Sequence, residues 1–171
     1  MTKLSMRVEG DRDITVTRAF AAPPSLVYRA HTEPELIRKW MYGYDGWILS
    51  HCTYEARPGG KIRLDWEDPS GQFKDTNGKN GFYLTGEFIA VTPGQRIEHV
   101  ERMHMPEPLP DNHCVTTFAP KGAGTLLTLR MTLPDAKSRA TMLETGMEDG
   151  MEVSYARIDP MLANMETENV K

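Results

Sequence analysis

Cysteine is nearly missing from this sequence: Cys52 and Cys114 are the two found among 171 residues. Two cannot build a disulfide framework, and they suit a reducing compartment in which both serve as small core residues. Long apolar runs are missing too. No stretch approaches the ~20 residues of a membrane span. The opening MTKLSMRVEGDRD alternates charges where a secretory leader would carry an apolar segment. The expectation is a cytoplasmic protein with no membrane partner. Positive charge is in short supply as well: 20 lysines and arginines face 24 aspartates and glutamates, for a net charge of -4. The cations are scattered among acids, so no basic stripe exists to follow a phosphate backbone, and nucleic acid is excluded as a partner.

Chemical signatures are equally sparse. No glycine-rich loop joins a strand to a helix to cradle phosphate, and no G-x-S-x-G elbow presents a nucleophile. The His51-Cys52 and His113-Cys114 pairs resemble metal ligands, but adjacent residues of a strand point to opposite faces and neither pair can close on one ion. No metal and no cofactor is expected.

What is present is the composition of one ordinary globular domain, 39% hydrophobic and 26% charged. DITVTRAF, residues 13–20, puts Ile14, Val16, Arg18 and Phe20 on one face, which is the period of a half-buried strand. AAPPSLVYRAHTEPELIRKWM then reads as two short helices, the first starting near Pro24 and the second from a capping box at Thr32 and Glu35. Residues 47–56 and KIRLDWE form a hairpin about the turn RPGG, and residues 67–80 form a polar loop. Strands follow at 82–91, 96–103, 113–119 and 125–133, for seven in all, with Pro106, Pro108 and Pro110 keeping the intervening loop 103–112 out of any ladder. In the strand at 82–91, Tyr83, Ile89 and Val91 offer a second apolar face, so its inward side stays open. From residue 135 on, Leu143, Met147, Met151, Tyr155, Ile158 and Leu162 mark one face of a long helix, broken by Pro160. Strands joined by turns imply an antiparallel sheet, and one covering helix makes the fold α+β.

Four segments in order carry a family resemblance: ITVTRAFAAPPSLVYRAHTEPELIRKWM, EARPGGKIRL, GEFIAVTPGQRI and GMEDGMEVSYARIDPML. Over about residues 13–165 the chain resembles the SRPBCC, or START-like, proteins related to the activator of the ninety-kilodalton heat-shock protein ATPase. The resemblance implies a helix-grip fold: a curved seven-stranded antiparallel sheet wrapped around a long C-terminal helix, with two short helices after the first strand. Residues 1–12 are then an N-terminal extension, 13–166 the single domain and 167–171 a tail.

The resemblance also implies a cavity between sheet and helix. Small Gly146 and Gly150 leave volume beneath the helix, and flexible Met147 and Met151 repack around different contents. A small apolar, aromatic or lipid-like ligand is expected there. Its lining would be drawn from Phe20, Trp40, Ile62, Leu64, Trp66, Phe82, Leu84, Phe88, Leu129, Met131, Met147, Met151 and Tyr155. Arg18 and His99 would serve as polar anchors, unless Arg18 is held by Glu55, Asp65 or Glu101. His99 with Glu101 is the one candidate acid-base pair should the protein be an enzyme of the cyclase or lyase type. An exposed apolar patch would instead mark a chaperone partner or a homodimer.

Overall fold

The computed structural model describes residues 2–169. Its elements in chain order are β1 (Ser5–Glu9), β2 (Asp13–Phe20), α1 (Pro24–Thr32), α2 (Pro34–Trp40), β3 (Ile48–Tyr54), β4 (Lys61–Glu67) and β5 (Phe82–Thr92). There follow β6 (Arg96–Met105), β7 (Glu107–Pro108), β8 (Asn112–Lys121), β9 (Gly124–Thr132), α3 (Ala136–Leu143), α4 (Met147–Ala156) and α5 (Ile158–Asn169). The strands make one antiparallel sheet in the order β1-β2-β9-β8-β6-β5-β4-β3, with β7 added to β6. Short helices α1 and α2 follow β2, and the C-terminal helices lie across the sheet, which is the START-like helix-grip arrangement.

Nine strands replace the expected seven, and both additions are weak in sequence for physical reasons. β1 lies in the segment read as an extension. It is an edge strand whose Ser5, Arg7 and Val8 are exposed, so no apolar alternation announces it. β7 is two residues long, and Pro108 pairs with His104 in the very loop whose prolines were expected to forbid pairing. Proline is tolerated at that edge because its missing N–H need not donate to the ladder.

The helix starts also differ in detail. α1 begins with Pro24 at its first position, where no N–H is required. Thr32 does not cap α2. Its hydroxyl donates back to the Tyr28 carbonyl at 2.9 Å, and Glu33 takes the N-cap position without a side-chain bond. The expected capping box is therefore absent.

The covering helix is three pieces. Gly146, at φ +75°, sits in the left-handed region and turns the chain between α3 and α4. A second break falls at Arg157, whose N–H bonds the Ser154 carbonyl at 3.1 Å, so it precedes Ile158. Pro160 lies inside the first turn of α5, where it fits. Met142 takes the buried position on α3 at 8% exposure, and Leu143, expected inward, is 36% exposed. Of the residues expected in the tail, 167–169 continue α5, while 170 and 171 lie outside the described residues.

One core joins these layers. Ile14, Val16, Leu127 and Ile158 are fully buried. Each contributes roughly 1.5–3 kcal/mol by leaving water. Arg18 faces the same side of β2 and is 2% exposed. Its guanidinium donates to both carboxylate oxygens of Asp159 at 2.6 and 2.7 Å, which fastens α5 to the sheet.

Candidate functional site

The strand register writes the concave wall row by row. Tyr54 pairs with Ile62, Ile62 with Gly86, Gly86 with Glu101, and Glu101 with Asn112. One row over, Phe88, His99, Cys114 and Met131 stand side by side across four strands. The inward side of β5 is settled by Phe82, Leu84 and Phe88. Tyr83 points to the convex face, where it stacks on His104 at 4.3 Å and lies under Arg63 at 3.9 Å. A bulge between Phe88 and Ala90 ends the simple alternation, leaving Ile89 47% exposed.

Between this wall and α3 and α4 is a cavity of about 300 Å³. Leu64, Leu84 and Met131 form its depth, while Trp40, Trp66 and Tyr155 form its flank. Leu129, Phe82, Met147 and Met151 also reach it, as do His99 and Glu101. Four residues expected at the site lie elsewhere in the core. Phe20 and Ile62 are buried against neighbouring side chains, Phe88 packs edge-on against Tyr54 at 5.0 Å, and Arg18 is engaged by Asp159. Its partner is thus neither Glu55, Asp65 nor Glu101. Strand parity gives a residue its face; it does not say whether helix or void lies opposite.

The flank is rigid. Trp40 Nε1 donates to the Ala30 carbonyl at 2.8 Å and Trp66 Nε1 to the Met41 carbonyl at 2.7 Å, so both indoles are held in place. Tyr155 meets Phe20 and Trp40 at ring distances of 6.0 and 5.9 Å. The mouth is built from segments between strands. Asp68, 1% exposed, accepts from the N–H groups of Ser70 and Phe73 at 2.9 Å each, folding its loop so that Phe73 reaches Trp47 and Phe82. Leu109, from the loop after β7, is pinned by a 2.7 Å bond from its N–H to the Met103 carbonyl. Gly150 faces Tyr44: a Cβ there would lie 3.6 Å from the Tyr44 hydroxyl, an ordinary contact.

Of the polar floor, the His99–Glu101 pair was expected, whereas Tyr54, Asn112 and Cys114 went unread in the sequence. His99 Nε2 donates to Glu101 Oε2 at 2.9 Å, and the donor atoms of His99, Glu101 and Cys114 lie within 4.8 Å of one another. These are the residues among those described that could hold a metal ion. The Cys114 thiol is pushed well above its usual range, by burial first and by the nearby Glu101 carboxylate next. The His99–Glu101 bond and the Cys114 thiol beside it make a polar floor to the cavity. Tyr54, whose hydroxyl is raised by burial and by Glu101, adds to it. Cys114 and Asn112 share strand parity with Thr116, which is the signal that could have placed them inward.

His31, reaching the cavity from α1, donates Nδ1–H to the Val27 carbonyl at 2.7 Å; burial lowers its pKa to about 4. It is a neutral ring held among Trp40, Phe118 and Tyr155.

Known structures share this architecture. A protein of Rhodobacter sphaeroides superimposes with a TM-score of 0.83 at 26% identity, covering 95% of this chain and 99% of its own. One of Nitrosomonas europaea gives 0.76 at 25% identity, with 94% and 99% covered. One of Mycobacterium smegmatis gives 0.79 at 20% identity, with 95% and 97% covered, a likeness of fold alone. No curated protein matches the chain. The profile described as "Activator of Hsp90 ATPase homolog 1-like protein" matches residues 21–163, most of the sequence, and it is to that family that the chain belongs.

Proposed function

We propose that this protein binds a small, mostly apolar molecule in the cavity between its sheet and the C-terminal helices. The observation that carries the reading is the cavity itself: about 300 Å³, framed by fixed aromatic rings and, on α4, by Met147 and Met151. Volumes of this size take drug-sized or smaller ligands, and a few polar groups in a largely apolar lining set their orientation. Met147 and Met151 add adaptability, because an unbranched thioether side chain fills irregular gaps at little strain. The site of action would be the cytoplasm. In support, Cys52 and Cys114 are both unbridged and buried, and no helix among the described residues is long and apolar enough to cross a membrane. Native mass spectrometry of protein purified gently from its own host tests the reading. A stoichiometric small molecule released on denaturation is the expected result, and an empty protein that also takes up no apolar probe would refute it.

A second reading has one observation behind it. The 2.9 Å contact between His99 Nε2 and Glu101 Oε2, inside the cavity wall, is the geometry of an acid-base pair able to move a proton on a bound substrate. Under this reading a His99→Asn variant keeps ligand uptake and loses turnover. A chaperone partner or a homodimer would draw on the large apolar side chains at the surface, which among the described residues are Val8, Tyr44, Ile48, Ile89 and Leu143.

A further inference from the structure

The cavity is one-sided in charge. Among the described residues no lysine or arginine lines it, and its single carboxylate is Glu101, a quarter exposed at the side chain. Arg18, which would have welcomed an acid, is consumed by Asp159. Glu101 is bonded to His99 Nε2 at 2.9 Å through Oε2, and Cys114 lies beside the pair.

An apolar pocket with a carboxylate at its floor, and no lysine or arginine, repels carboxylates, phosphates and phenolates and attracts donors of positive charge. We infer that the occupant is an apolar amine, held as its ammonium ion against the Glu101 carboxylate. This rests on the binding reading above and adds the chemical class of the head group. Gly86, directly across from Glu101, supplies no side chain to cover that carboxylate. Tyr54, in the same cross-strand row, and Tyr155, on α4, also line the cavity. The same field is visible in the protein's own groups: the Tyr54, Tyr155 and Cys114 protons are all held more firmly through burial, and in each case Glu101 adds to the effect.

The test is calorimetric titration, at neutral pH, of decylamine, decanol and decanoate into the wild-type protein and into Glu101→Gln, with thermal melts to confirm that the variant is folded. The amine should bind about tenfold or more tighter than the alcohol, with the acid weakest. Glu101→Gln should erase the amine's advantage. Equal binding of all three, a preference for decanoate, or an amine preference that survives Glu101→Gln overturns the inference while leaving cavity binding intact. If none of the three is taken up, the binding reading fails and this inference falls with it.

Discussion

Acidification should destabilise this protein through His31 above all. Its ring is 7% exposed, donates through Nδ1 to Val27, and leaves Nε2 buried without a partner among Trp40, Phe118 and Tyr155. Protonation would place both a charge and an unpaired N–H in that setting, which is why burial moves the pKa from 6.5 to about 4. Above 6.5 the folded and unfolded chains both carry a neutral ring and the residue contributes no pH dependence. Below it the unfolded chain takes up a proton that the folded chain refuses, so stability falls as pH falls, down to the folded value. The loss amounts to about 2 kcal/mol at about pH 5 and saturates near 3 kcal/mol below about pH 4. Urea unfolding between about pH 8 and about pH 5, for the wild type and for His31→Asn, isolates the effect, because the asparagine amide can still donate to Val27 but does not titrate. His104, also lowered by burial with help from Arg102 and Arg63, acts in both proteins and cancels in the difference. Two profiles that run parallel within about 0.5 kcal/mol would refute the argument.

Three further outcomes follow from the packing. Asp159→Asn should lower stability by about 2 kcal/mol, less than a fully buried pair because Asp159 is 45% exposed, and calorimetric melts should show Arg18→Met/Asp159→Leu recovering part of the loss. Gly150→Ala should raise the melting temperature, since about 1 kcal/mol of helix propensity is gained against a contact of ordinary length, whereas Gly146→Ala should lower it at φ +75°. In the folded protein Cys114, 1% exposed with its thiol pushed well up, should react with an aromatic disulfide reagent more slowly than Cys52, 8% exposed; rapid modification of Cys114 would contradict the polar floor described above.

Much of the fold was legible because its signals are local. The alternation of Ile14, Val16, Arg18 and Phe20 fixes a strand and its buried face, and RPGG fixes a hairpin. What was lost depends on which elements meet. Arg18 was readable as buried, but Asp159 as its partner required knowing where α5 crosses β2. Cys114 joins the His99–Glu101 pair, itself readable from the parity of β6, through the β6–β8 register, which no single strand encodes. The one-residue exchange of Met142 for Leu143 follows from the turn at Gly146, which resets the helical phase that periodicity alone had extended through it. Phe20 and Phe88 share the inward parity of the lining residues, yet packing against them fills the space.

The central claim is that the volume beneath α4 receives an apolar ligand. The most direct measurement is a saturation titration of an apolar fluorescent probe into the wild type and Met151→Trp, in which the indole would occupy the space Met151 borders. One saturable site per chain in the wild type, abolished in a Met151→Trp protein that melts normally, is the predicted result. No saturable uptake, or equal uptake by both proteins, would contradict it.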